Sequence, residues 1–388
     1  MEITRQKNNF APYLFIGIVV FVLISCSYFL KLFTGQEYFF EDRIMNKGEI
    51  DKSILIAAID DESISKIGQW PWPRAIFAEA LANLQKYKPK SVALDVIFSE
   101  PSRMGDTDDG KLANTLANIN YPLVMPVEGR DVLRGTEYNY AGSIIQPLEK
   151  FVHGRTRGKI TLGHTNLFID RDNIVREFPL SIKTTKQEKL FRSLAEEAVL
   201  GAGFPVDSVA YGTSPRIIYR SESGAIRLIP FYRLLEKDDL TMLLSGKIIF
   251  IGATAPDLHD EKPTPLSGGT EMPGVEIQAT IANMFVSGET LKPMPMSNSL
   301  ILFLIIVFVP VLLFYFSRNV FSALSFSVVA GLVSNVPLFV IFDKGIAANF
   351  VHANLAWIFS LGSMFSYRYF LVEKNRRQIR GVFSKYVL

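Results

Sequence analysis

Apolar residues fall into two kinds of run along this chain. Four are long: 11–33 carries no charge except Lys31, and 297–316, 320–342 and 346–371 follow late in the sequence. A helix needs about 20 apolar residues to cross the hydrocarbon core of a bilayer, so all four are predicted to span. The short runs, 54–59, 92–98, 123–127 and 248–251, are too continuous for one-sided strands and predict strands buried on both faces, as in the parallel part of an α/β sheet. Amphipathic stretches between them predict helices: Phe77, Leu81 and Leu84 form one stripe, Leu112, Leu116 and Ile119 a second, and Phe191, Leu194, Ala195 and Ala198 a third. Pro73 suits the first turn of the first helix, and Gly201 or Gly203 the end of the third. Segment 159–180 reads as a hairpin turning at Asp170-Arg171-Asp172-Asn173, while 99–111 and 128–142 read as long surface loops. The expected fold class is an α/β extracytoplasmic domain with a mixed sheet at 34–296, plus four transmembrane helices, one before it and three after.

The first long run exceeds the roughly 7–15 apolar residues of a signal peptide and has no small-residue cleavage site, so it is read as an anchor. Pro310 and Pro337 predict kinks, not breaks, because neighbouring spans satisfy freed backbone groups. Orientation follows from Lys and Arg beside the spans: Arg5 and Lys7 before the first, Arg318 between the second and third, and Arg368, Lys374, Arg376, Arg377, Arg380 and Lys385 at the end. Positive charges favour the cytoplasm, which places both termini there, 1–10 and 372–388, in a multi-pass protein of the cell's inner or plasma membrane.

Charge shows the same division of the chain into two parts. Residues 34–296 hold 30 Lys+Arg and 35 Asp+Glu, and the remainder 11 and 3, so the net +3 of the whole chain averages opposites. The basic excess is accounted for by membrane orientation, and no nucleic acid is expected as a partner. The single cysteine, Cys26, lies in the first span, which excludes an intramolecular disulfide.

Acids at strand ends are the candidate chemistry. Asp60 and Asp61 close the first predicted strand, and His259-Asp260 follows the strand 248–251; carboxyl ends of strands are where open α/β sheets gather ligands, while Asp95 sits within the buried run "VALDVIF". Asp61, followed by Ser63, also reads as a helix N-cap. Burial of Asp95 is costly unless paired, and Arg74 or Arg176 could pair it. Oxygen ligands would suit a hard divalent cation if the strands are neighbours, but four scattered histidines and one cysteine exclude a zinc pattern. Whether these acids hold a metal is left open, and no cofactor is expected. Trp70 and Trp72, in "WPWPR", suit either a stiff loop plugging the core or a stacking surface; the prolines favour the plug.

The ordered set "IAAIDDESISKIGQWPWPR" (56–74), "SVALDVIFSEPS" (91–102), "LGHTN" (162–166), Asp172 to Arg176, "IFIGATAPDLHDEKPTP" (249–265) and "PGVEIQATIANMF" (273–285), preceded by Glu41-Asp42-Arg43, resembles the type-two CHASE domain, the cyclase- and histidine-kinase-associated sensory extracellular domain. The resemblance marks Trp70, Trp72, Arg74, His164 and Arg176 as structural motif residues. It implies a receptor module of bacterial signalling proteins, responding to an unknown extracytoplasmic ligand and acting on a cytoplasmic class III cyclase or kinase effector. "NRRQIRGVFSKYVL" (375–388) is similar to the linker entering a class III cyclase, whose active site lies at a dimer interface; this implies a homodimer. The seventeen residues after the last span cannot bury a catalytic core. The chain is therefore expected to be the sensor portion, an enzyme only if a catalytic domain follows residue 388. The alternative is an extracytoplasmic metal-dependent hydrolase built on Asp60, Asp95 and Asp260, in which no nucleophile–base pair is recognisable. Val372, Ile379, Val382, Phe383 and Val387 form a stripe that predicts a helix continuous with the last span.

Overall fold

The continuous apolar runs become the central strands of one sheet, since only a strand covered on both faces buries six consecutive side chains. The computed structural model describes residues 9–45, 48–152, 159–184, 189–267 and 270–383. Its main helices, in chain order, are α1 (Ala11–Phe29), α2 (Thr34–Ile44), α3 (Asp61–Ile67), α4 (Arg74–Leu84), α5 (Asp106–Asn118), α6 (Leu194–Gly201), α7 (Gly274–Ser287), α8 (Met296–Phe316), α9 (Val320–Asp343) and α10 (Phe350–Phe383). The strands of its main sheet are β1 (Ile54–Ile59), β2 (Ser91–Leu94), β3 (Leu123–Arg130), β4 (Ser143–Ile145), β5 (Ile160–His164), β6 (Leu228–Pro230) and β7 (Ile248–Ala253). Contacts divide the chain into Met45–Lys292 and a second unit made of Met1–Ile44 with Pro293–Leu388.

Within Met45–Lys292 the sheet order is β6-β1-β7-β2-β3, with β4 and β5 both on β3. All pairings are parallel except β3 with β4, so the domain is α/β with a mixed sheet. β1 and β7 are neighbours in full register, Ile54 opposite Ile248 through Ile59 opposite Ala253. Side chains alternate across the sheet. Leu55, Ala57, Ile59, Ile249 and Ile251 join Phe77, Leu81 and Leu84 of α4 and Leu112 and Leu116 of α5 in one core. Ile54, Ile56, Ala58, Ile248 and Phe250 are equally buried on the side where α7 packs on β1 and β7, and α6 on β2 and β3.

Several local expectations need correction. β2 stops at Leu94 instead of running to residue 98. The expected loop 99–111 contains the start of α5, where Asp106, Asp108 and Asp109 occupy a first turn whose dipole favours acids. In 128–142, β3 continues to Arg130 and 139–141 pairs with 182–184, with Asn139 completely buried. The hairpin is shorter than expected. Phe168–Ile169 and Val175–Glu177 pair around the Asp170–Asn173 turn, whereas β5 joins β3 in the main sheet. Pro73 is the N-cap of α4, just outside its first turn.

In the other unit, among the described residues, three helices are long and apolar enough to cross a membrane by length and composition: α1, α8 and α9. Four were expected. The fourth run falls in α10, where His352, Asn354, Ser360 and Arg368 dilute the apolar content; His352, Ser360 and Arg368 are buried in this unit. Pro310 and Pro337 lie inside α8 and α9, which continue through them. α10 runs unbroken to Phe383. Arg5, Lys7 and residues 384–388, with Lys385 and Val387, lie outside the described residues.

Candidate functional site

The parallel strands deliver Asp60 and Asp95 to one edge, at the carboxyl ends of β1 and β2 on either side of β7. Their environments differ. Asp60 is the N-cap of α3: its Oδ1 accepts the backbone N–H of Ser63 at 2.8 Å. That corrects the assignment of the cap to Asp61, which is an exposed residue of the first helical turn. Asp60 therefore spends an oxygen on the helix it starts.

Asp95 starts no helix. Its N–H is held by the Ile251 carbonyl at 2.7 Å, and its carboxyl lies deep in the domain while retaining some contact with solvent. Burial, then the charge of Asp260, push it up to about 7, against the opposing pull of Lys262. Neither expected arginine pairs it. Arg176 binds Asp170 at 2.9 Å and Asp172 at 2.8 Å, and Arg74 lies 3.8 Å from Asp109.

Asp260 comes from the loop after β7. Burial raises its carboxyl pKa and Lys262, 3.7 Å away, lowers it. Its backbone carbonyl accepts the Gly274 N–H at 2.7 Å. A Cβ at residue 274 would stand 2.6 Å from its Oδ2, so glycine at the start of α7 is what lets this carboxylate lie over the helix. Asp60 and Asp260 share an edge, but the charge felt by Asp95 is that of Asp260. His259 is exposed, in the left-handed backbone region at φ 54°.

The segment after α3 and the segment after β2 enclose a cleft of about 450 Å³, walled by Trp70, Pro71 and Arg74 on one side and Ser99, Ser102 and Arg103 on the other. Trp72 turns inward instead: it is 3% exposed, packs on Phe77 and Phe231, and donates its indole N–H to Gly68 O at 2.8 Å. Asp108 fixes the cleft wall by accepting the N–H groups of Arg74 (2.7 Å) and Ala75 (2.9 Å) and the Ser102 hydroxyl (2.5 Å). The Arg74 guanidinium lies 4.3 Å above the Phe98 ring. His164 is fully buried at the end of β5, and burial, opposed by the Leu180 and Pro179 carbonyls, pushes it down to about 3, so it is neutral.

Sequence reasoning missed Asp108, Asp109, Lys262 and Gly274. The run of acids at 106–109 before an apolar stripe was the available signal for the first two; nothing local marks the others. Among the described residues no three His, Cys, Asp or Glu side chains lie together so as to hold a metal ion, which leaves the hydrolase reading without a ligand set.

A family model described as "CHASE2 domain" matches residues 16–314. No curated protein and no solved structure matches the chain.

Proposed function

Because the chain belongs to the CHASE2 domain family and so carries an extracellular sensory domain, we propose that it is the receptor half of a transmembrane signalling protein. In this reading the outer domain, 34–296, binds an extracytoplasmic ligand at the carboxyl edge of its sheet, where the Asp95–Asp260 pair lies. The membrane helices relay the change to a cytoplasmic class III nucleotide cyclase, active as a homodimer. α10 acts as the fourth span, its polar residues turned into the bundle and Ile358, Phe359 and Phe370 left for lipid. Both termini then lie in the cytoplasm.

The observation that carries the relay is the length of α10. Its 34 residues extend about 51 Å at 1.5 Å per residue, against a hydrocarbon core of about 30 Å. A helix that only anchored the chain would gain nothing from the excess. Fusing a cyclase catalytic domain after Leu388 and inserting one to four alanines after Val372 tests it. Each alanine rotates the distal part of the helix by about 100°, so cyclase activity should rise and fall across the series. Activity that is flat across it would reduce the segment to a tether and refute the relay.

A further inference from the structure

α10 is held by the N-terminal segment at two points, near its start and at mid-length. Near its start, Glu37 on α2 is 7% exposed and directs its carboxylate into the first turn of α10. Oε2 accepts the Val351 N–H at 2.9 Å, Oε1 the His352 N–H at 2.9 Å, and His352 Nδ1 lies 2.8 Å from Oε1. These are N–H groups that a helix start leaves without intrahelical partners, and a carboxylate there is favoured by the helix dipole. The His352 ring is 3% exposed and meets Tyr28, Phe33 and Phe303 at 5.6–6.0 Å between centroids. Sixteen residues on, Arg368 donates to the Tyr13 hydroxyl of α1 at 3.1 Å and to the Ser317 carbonyl at 2.9 Å.

Between these two polar pins α1 and α10 face each other through apolar side chains. A groove of about 360 Å³ opens there, lined by Phe15, Val19 and Leu23 of α1 and Leu355, Phe359 and Ser363 of α10. Apolar side chains across a groove slide without losing a directed bond, whereas a buried carboxylate with three hydrogen bonds cannot move without losing them. α2 also ends at Ile44, where the chain passes into the unit Met45–Lys292.

We infer that Glu37 is a latch that couples α2 to the start of α10, so that a displacement of α2 is passed to α10 through the Glu37 hydrogen bonds with Val351 and His352. The inference rests on the relay reading for its purpose, but the latch is a property of this unit and is tested without any effector. The full chain is placed in nanodiscs of phosphatidylethanolamine and phosphatidylglycerol, and amide hydrogen exchange is followed in 34–44 and 350–356. Glu37→Ala should speed exchange in 350–356 at least tenfold. His352→Phe alters only α10 and keeps the aromatic packing; it should nonetheless speed exchange in 34–44 about threefold or more. Glu37→Gln, which retains one acceptor oxygen, should fall between wild type and Glu37→Ala, and serves if the alanine variant does not fold. Faster exchange confined to the mutated element in each case overturns the latch. The alanine-insertion series can fail while the latch stands, which keeps the two ideas separable.

Discussion

Replacing Asp95 by asparagine should stabilise the outer domain at high pH and leave it unchanged at low pH. The Asp95 carboxyl titrates near 7 in the folded protein, against an ordinary 3.8. Below about pH 4 both folded and unfolded chains carry its proton, and the raised pKa contributes nothing that varies. Between 4 and 7 the folded chain holds the proton and the unfolded chain does not, so stability falls by about 1.4 kcal/mol per pH unit. Above 7 both are ionised and the full penalty, about 4 kcal/mol at most, is present. Asparagine has the same shape and no charge to desolvate. The gain from Asp95→Asn should therefore be near zero at pH 4 and several kcal/mol at pH 8, on the order of 10 °C in Tm for a unit of this size.

The full chain in nanodiscs is melted at both pH values and followed by tryptophan fluorescence, to which Trp70 and Trp72 contribute from the outer domain and Trp357 from the membrane unit. The midpoint of the pH dependence carries a second check. Asp260→Asn removes a charge that raises the Asp95 pKa and should move the midpoint down, whereas Lys262→Gln removes one that lowers it and should move the midpoint up. A Tm offset equal at pH 4 and pH 8, or an asparagine variant that is less stable at pH 8, refutes the reasoning. In the latter case the carboxylate would have to be paired or hydrated in a way that makes its charge welcome.

Gly163→Ala should cost about 2–3 kcal/mol, because its Cβ would stand 2.6 Å from the Leu194 Cα, backbone that cannot rotate away; unfolding of the full chain within 0.5 kcal/mol of wild type would contradict the packing of α6 on β5. On topology, Met242→Cys and Lys374→Cys in a Cys26→Ser background should label oppositely with an impermeant thiol reagent on intact cells, the first reacting and the second not. Met242 is 96% exposed, and a reversed pattern would invert the orientation argued from the positive residues.

Legibility tracked the range of the interaction. A strand buried on both faces announces itself by its own composition, which is why 54–59 and 248–251 could be placed in the centre of a sheet before any partner was known. The run 346–371 was expected to be a fourth span, but His352, Asn354, Ser360 and Arg368 lower its hydropathy, and only the contacts of His352 with Glu37 and of Arg368 with Tyr13 show where that polarity goes. Asp60 and Asp95 make the same point within the candidate site. Both are acids directly after a buried strand; the polar stretch after Asp60 hints at a helix cap, but the apolar stretch after Asp95 does not reveal what the acid meets. The difference lies in the next stretch of backbone. After Asp60 the chain turns into α3, whose free N–H groups point back and take the carboxylate. After Asp95 it leaves the sheet without a helix, and the acid faces Asp260 and Lys262 from a loop far along the chain. Asp60 is absorbed by the helix it starts, and Asp95 is not, so the pH dependence of Asp95→Asn reads an environment that only the folded chain assembles.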